Sequence, residues 1–249
     1  MSETFYKHYE KHYQRMFNEK PEWEYAEKHP ESFRGNKPWL PGDKTARILD
    51  FGCGWGHQLL NLWCAGYHNL EGVELVPAQA DIANEMTKGK VKITCMDGRE
   101  YLHNKHNVYD LIILNDVLEH ISYEDAIPLL KQLHSALVDG GTLVLRVINA
   151  SSILSMYSLY LDITHKTLYT EYSLVQLLEQ TGFVKNSFVR DNIHIISFLR
   201  PRWRNHCALL IRHTLNHCLH RFVYWLRGQK PIPTLFGMNI EVYSKKQDV

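Results

Sequence analysis

Between residues 47 and 148, short apolar runs recur at intervals, separated by stretches with helical periodicity. Arg47 to Phe51, Leu70 to Leu75, Val91 to Met96, Tyr109 to Leu114 and Thr142 to Ile148 are rich in Ile, Leu and Val without clean alternation. That is the pattern of strands buried on both faces of a parallel sheet. Helical stretches fill the gaps: roughly His57 to Ala65, Pro77 to Thr87, a short one near Glu100, and Ser122 to Val138. The last opens with Ser122 and Asp125 at capping-box spacing and stops at Asp139-Gly140-Gly141. Strand, loop and helix in repetition define a doubly wound α/β domain.

After Ile148 the regularity changes. Residues 149–169 are polar, aromatic and Ser-rich and read as a long loop. Glu171 to Gln180 predicts a helix opened by Thr170 and closed by Thr181-Gly182. Phe183 to Val189 and Asn239 to Ser244 predict two strands, paired antiparallel at the sheet edge, which brings the expected sheet to seven strands. Between them lies an insert over residues 191–238. At the other end, Phe5, Tyr6, Tyr9 and Tyr13 stand at helical spacing ahead of a Trp- and Pro-rich stretch, so residues 1–40 read as a helical lid and an irregular linker. The whole of 1–249 reads as a single domain.

Composition narrows the class further. With 45% hydrophobic and 22% charged residues the chain is globular rather than disordered. Its apolar runs fall far short of the roughly 18 to 20 residues a membrane-spanning helix needs. The start, Met-Ser-Glu-Thr-Phe-Tyr, lacks the basic and apolar segments of a secretory signal, so the expected location is the cytoplasm. Five cysteines without a C-x-x-C pair argue against a disulfide framework or a structural zinc site. The net charge of +1 divides unevenly: residues 200–230 hold seven Lys and Arg and no acid, which leaves −6 elsewhere.

The most informative segment is Ile48-Leu49-Asp50-Phe51-Gly52-Cys53-Gly54-Trp55-Gly56-His57, a strand entering a glycine-rich turn and then a helix. Such a turn lets backbone approach a ligand closely, and the N–H groups at the helix start favour an anion. Glycines alone would also suit a plain tight turn. A dinucleotide site would want a third glycine where His57 stands, which counts against NAD.

With its surroundings, this segment resembles motif I of the class I S-adenosylmethionine-dependent methyltransferases, which have a Rossmann-like sheet. Asp50, Gly52, Gly54 and Gly56 match that motif position by position. The resemblance implies S-adenosyl-L-methionine as cofactor and assigns further residues in chain order. Glu74 would accept hydrogen bonds from the ribose hydroxyls, Leu75 would stack on adenine, and Asp97, followed by Gly98, would receive the adenine amino group. Asn115 ends the fourth strand, and Leu118-Glu119-His120 is similar to an "LEH" signature of many small-molecule methyltransferases. The likeness covers residues 45–148, the expected cofactor-binding core. Taken singly, Asp97-Gly98 could be a turn and Glu74 a solvated carboxylate; their register at successive strand ends favours the cofactor reading.

The acceptor is less constrained. Asn115-Asp116-Val117-Leu118 is not the Pro-Pro motif used for amino nitrogens of adenine or glutamine, and no Pro-Cys nucleophile is present. An oxygen acceptor remains, with an amine as the less favoured alternative, on a small molecule or glycan; an alcohol's proton needs a destination. His120 and His165 are the candidates, with residues 149–169 as the acceptor loop. Leu161-Asp162-Ile163-Thr164-His165-Lys166 resembles a T-H element of ubiquinone-type and polysaccharide-cluster methyltransferases. A structural role for either histidine is the competing reading. No metal is expected, although Asp116, Glu119, His120 and His165 resemble a divalent-metal set of small-RNA 3′-terminal methyltransferases.

In the insert, Ala208, Ile211, Leu215, Cys218, Phe222 and Trp225 fall on one helical stripe, with Arg212, His213, Asn216, His220 and Arg227 opposite. The stripe suits either core or homodimer packing with a solvated basic face, or an interfacial helix over residues 200–230 that touches the inner face of a membrane. The combined expectation is an O-methyltransferase acting on a glycan or glycan precursor in surface-polysaccharide biosynthesis. An RNA ribose methyltransferase and a non-catalytic partner subunit are the alternatives; one amphipathic helix without a broader positive surface disfavours nucleic acid.

Overall fold

The computed structural model describes residues 37–189, 203–228 and 230–247. Most of the expected lid and the first part of the insert lie outside these residues. In chain order the elements are β1 (Ile48–Phe51), α1 (His57–Cys64), β2 (Leu70–Glu74), α2 (Pro77–Met86), β3 (Lys92–Cys95), α3 (Gly98–Leu102), β4 (Tyr109–Asn115), a 3₁₀ turn (Leu118–His120), α4 (Tyr123–Ala136), β5 (Leu137–Ile148), α5 (Ser155–Leu161), α6 (Glu171–Gln180), β6 (Phe183–Val189), α7 (Trp203–Leu226) and β7 (Asn239–Lys246).

The strands form one mixed sheet in the order β3-β2-β1-β4-β5-β7-β6. β1 lies parallel between β2 and β4, and β7 runs antiparallel between β5 and β6. Burial explains the unbroken apolar runs. Ile48, Leu49 and Leu111 through Leu114 are wholly inaccessible because helices cover both faces of the parallel part. One core layer places Leu49, Ile112 and Leu114 against Leu129, Leu130 and Leu133 of α4, while the other places Ile48, Leu111 and Ile113 against Leu59 and Leu62 of α1. β7 is tied in by polar contacts. Trp39 Nε1 donates to Glu241 Oε1 at 2.9 Å, and Lys246 Nζ donates to the Leu137 carbonyl at 2.8 Å and to Asn107 Oδ1 at 2.7 Å.

Three elements differ from the sequence reading. Helix α4 stops at Ala136, two residues before the expected end, and β5 follows at once. Asp139-Gly140-Gly141 is therefore an irregularity within the strand rather than a turn. Gly140 has φ 74°, the β4–β5 register shifts between Tyr109 and Leu111, and a side chain on Gly141 would meet the Val138 carbonyl at 2.7 Å. Second, the expected loop over 149–169 contains a helix, α5. Third, the docked face of α7 is the polar one. His220 is buried, with its ring 5.0 Å from that of Phe236, and Ile153 N donates to His220 Nε2 at 2.9 Å. Leu215, Phe222 and Trp225 of the apolar stripe are exposed instead. By contrast, α6 begins as read, with Thr170 and Ser173 closing a reciprocal capping box.

The central strand should be the least forgiving place to remove volume. Ile113 is inaccessible in β4, so Ile113→Ala is expected to cost about 2–5 kcal/mol in urea unfolding. The denaturant slope should stay unchanged; a loss under 1 kcal/mol would mean that this layer is not close-packed.

Candidate active site

Strand order reverses between β1 and β4, and ligands of open α/β sheets bind at the carboxyl ends of the strands beside such a point. The loops leaving those two strands meet there. Gly52, Gly54 and Gly56 all adopt left-handed backbone, with φ 73°, 52° and 79°. At Gly52 a side chain is excluded by contact as well as conformation, since its Cβ would lie 2.5 Å from Val117 Cγ2 in the loop after β4. A Cβ on Gly56 would lie 3.2 Å from the Cβ of Ala83 in α2, which sets how closely the first two helices approach.

Glu74 holds this loop open. Its Oε2 accepts from Gly54 N at 2.9 Å and its Oε1 from Val76 N at 2.9 Å, with the side chain nearly buried at the end of β2. Leu75 follows with 40% exposure. Asp97 caps α3 through Arg99 N at 2.8 Å and pairs with the Arg99 guanidinium. A Cβ on Gly98 would fall 2.2 Å from the Phe51 ring, so the third strand end can approach the first only through glycine. Asp50 is 2% exposed; burial, reinforced by the charge of Glu74, pushes its carboxyl up to about 7. Carboxylates at the ends of β1, β2 and β3 beside a left-handed glycine loop form an acceptor-rich edge. That donor set fits a cationic ligand bearing hydroxyl and amino groups.

Beyond β4 the structure sorts the acidic and histidine residues differently from the metal-like set considered above. Asp116 (φ 54°) is clamped by Arg146, whose Nε donates to Oδ1 at 2.8 Å and whose Nη2 donates to Oδ2. Burial opposes the charge on Arg146, but the carboxylates of Asp116, Glu119 and Glu241 outweigh it and keep the guanidinium protonated. Glu119 is 1% exposed, with Oε2 unpartnered, and burial together with Asp116 drives its carboxyl well above the usual range. Its backbone carbonyl staples the acceptor loop, accepting from Lys166 N at 2.7 Å and Thr167 N at 3.1 Å.

That staple brings His120 and His165 together, with ring centroids 4.7 Å apart. Thr164 Oγ1 donates to Asp162 Oδ1 at 2.6 Å, which leaves it an acceptor for His120 Nδ1–H at 2.8 Å. His165 Nδ1–H donates to the Ser158 carbonyl at 3.0 Å. In its neutral form each ring thus carries its lone pair on Nε2. Burial, with the neighbouring His165, pushes His120 down to about 4, so it is neutral at physiological pH. One ligand atom from each of His120, Asp162 and His165 falls within 4.8 Å of the others, so this trio could receive a proton or hold a cation. Asp162 and Thr164 escaped the sequence reading as site residues. Their spacing of two, that of an Asx turn, is the signal that could have found them: Thr164 N donates to Asp162 Oδ1 at 2.8 Å.

A groove lined by Pro38, Trp39, Gly140 and Tyr243 lies at the opposite end of the strands, away from these groups. The fold and its acceptor-rich edge define a Rossmann-like α/β ligand-binding domain. Comparison with known proteins makes this more specific. The profile of a family described as "Methyltransferase domain" matches residues 12–187, well over half of the chain. The chain belongs to that family. No curated protein sequence is similar to it. Among solved structures it is similar to a SAM-dependent methyltransferase from Archaeoglobus fulgidus, with TM-score 0.62 and 20% identity over 94% of this chain and 98% of that one. A Thermotoga maritima enzyme described as a possible histamine N-methyltransferase gives TM-score 0.58 and 16% identity over 95% and 98%. Phosphoethanolamine N-methyltransferase 2 of Haemonchus contortus, in complex with S-adenosyl-L-methionine, gives 0.58 and 15% over 85% and 51%. At these identities the likeness establishes the α/β Rossmann-like methyltransferase fold.

The buried Asp50 carries a pH signature. An unfolded Asp ionises near 4 and the native carboxyl near 7, so the native state binds more protons between those values. Stability from this group is therefore full below about pH 4 and falls as pH rises toward 7. Asp50→Asn removes that titration. Its stability relative to the parent should rise by up to a few kcal/mol between pH 4 and pH 8 in the ligand-free protein. Parallel pH profiles of the two proteins would show instead that Asp50 ionises normally.

Proposed function

We propose that this chain transfers a methyl group from S-adenosyl-L-methionine to a hydroxyl oxygen, and that the acceptor is a glycan or glycan precursor of surface-polysaccharide biosynthesis. The observation that carries the oxygen assignment is the His120–Thr164–Asp162–His165 cluster, fastened to the turn after β4 on the same sheet edge as the glycine loop. The cofactor supplies an electrophilic methyl on a sulfonium. Glu74 and Asp97 offer oxygens to its ribose and adenine, the glycine loop admits it to the backbone, and Asn115 with Leu75 flanks it.

An alcohol must lose its proton as it attacks the methyl carbon and the carbon–sulfur bond breaks. His165 accepts that proton at Nε2 while its Nδ1–H stays on Ser158. Asp162, whose own carboxyl is held low by Thr164 and by the two histidines despite burial, stabilises the imidazolium that results. His120, neutral and fixed through Thr164, positions the acceptor hydroxyl. Bringing acceptor and methyl donor into line supplies much of the remaining acceleration. The same trio supports a second reading, in which a divalent cation on His120, Asp162 and His165 lowers the pKa of the hydroxyl.

Two measurements test this. Glu74→Gln keeps the shape of the side chain but loses its charge, and calorimetry should show S-adenosylhomocysteine binding weakened at least about tenfold, or 1.4 kcal/mol. Unchanged affinity would remove Glu74 from the cofactor site. With an accepted substrate, His165→Ala should cut turnover by roughly 100-fold at unchanged cofactor affinity, and EDTA should do nothing. Inactivation by EDTA with recovery in Mg or Mn would assign the trio to a metal; undiminished turnover of His165→Ala would end the proton-acceptor role.

A further inference from the structure

We infer that the outer face of α7, with the adjoining α5 segment, is a docking surface for an anionic lipid bilayer, and that the acceptor is presented to the site from that bilayer. The second half of the statement rests on the hydroxyl-methylation reading; the first half does not.

Three observations carry it. Helix α7 docks through His220 and Tyr224, which hold Ile153 N and the Ser151 carbonyl, so among the described residues its opposite side faces away from these contacts. That side shows large apolar groups to solvent: Leu215 at 65% exposure, Phe222 at 55% and Trp225 at 68%. Exposed apolar groups gathered on one helix mark an interaction site rather than ordinary surface.

Exposed apolar groups also follow residues 151–153, on which α7 docks. Tyr160 at the end of α5 is 77% exposed and Ile163 is 81% exposed, two residues before His165. A surface that covers these groups together with α7 would lie beside the segment that carries His165.

Charge selects the occupant. Residues 200–230 hold seven Lys and Arg and no acid, and Arg221, Arg227 and Lys230 are exposed. A second copy of this chain laid against the same face would bring Arg221, Arg227 and Lys230 up to a segment that is itself basic, with no carboxylate in residues 200–230 to pair them. An anionic bilayer satisfies both features together. Its acyl boundary receives the apolar ridge of a helix lying in the interface plane, and its headgroups neutralise the flanking basic side chains. A hydroxyl on a lipid-borne glycan would then stand at the level of His165.

The test uses the full chain and vesicles of phosphatidylcholine with or without phosphatidylglycerol. The expected result is co-sedimentation with phosphatidylglycerol vesicles at low salt, at least about tenfold above pure phosphatidylcholine, with loss on raising salt. Phe222→Ser with Trp225→Ser, and separately Arg221→Glu with Arg227→Glu, should release the protein while S-adenosylhomocysteine affinity and the unfolding transition stay unchanged. Equal binding to both vesicle types, no binding at all, or sedimentation that both double variants retain would overturn the proposal. So would a dimer in light scattering that Phe222→Ser with Trp225→Ser converts to monomer, since the occupant is then a second copy. Vesicle binding is read without turnover, so its failure leaves the His165 assignment standing, and inactivity of the enzyme toward hydroxyls leaves the adsorption standing.

Discussion

The close approach of the β1 and β4 loops is the constraint on which the site depends. Gly52 presses against Val117 with no room for a side chain, at the place where strand order reverses. Any residue but glycine there would meet both an unfavourable left-handed backbone and a methyl group at 2.5 Å. With that contact made, the chain after β1 must turn toward β2, where Glu74 receives it through the Gly54 amide. The chain after β4 must turn into the 3₁₀ segment that carries Glu119 and His120. One steric contact thus starts the glycine loop and the segment that carries His120 from the same sheet edge. A second contact of the same kind, Gly98 on Phe51, draws in the end of β3.

The parts of the fold visible in the sequence are those whose physics is local. Doubly buried strands such as Leu111 to Leu114 must be apolar at every position, so they stand out as runs. The Thr170–Ser173 cap needs only residues three apart. What stayed hidden depends on tertiary partners. Helix α5 has its tyrosines in solvent and buries Ser155 and Ser158, which inverts the pattern a helix normally displays. The face on which α7 docks is set by Phe236 and the Ile153 amide, both distant in sequence. Helical periodicity identifies an apolar stripe, but only the partner decides whether that stripe is covered. The end of α4 was misplaced for a related reason: Asp139-Gly140-Gly141 has the composition of a turn, and its role as a strand irregularity follows from pairing with Tyr109 and Leu111.

For the candidate site, which residues gather at the sheet edge was easier to read than which of them pair. Asp116 and Glu119 have the spacing of a ligand set, yet Arg146 from the neighbouring strand claims Asp116. That pairing spans 30 residues and follows from the register of β4 with β5, where Asn115 lies opposite Arg146. Asp162 takes up the position beside His120 and His165 that spacing alone would have given to Asp116 or Glu119.

These pairings also set the charge at the site. Six acids stand around the candidate site, but they do not all act as free anions. Arg146 neutralises Asp116, and burial, with the charge of Asp116, pushes the Glu119 carboxyl well above the usual range. Asp50, pushed up to about 7 by burial and by Glu74, is only partly ionised at neutral pH. Asp97 is paired with the Arg99 guanidinium, and Asp162, held low by Thr164 and the two histidines despite burial, lies beside His120 and His165. A site built for methyl transfer from a sulfonium benefits from this economy. In the proposed reaction the positive charge leaves sulfur and appears on the proton acceptor, so a fixed anion would be useful at the imidazole, whereas a dense anionic field around the sulfonium would favour the reactant over the transition state. Clamping Asp116 with Arg146 and disfavouring the charge on Glu119 by burial would then limit the anionic field along the path on which positive charge moves.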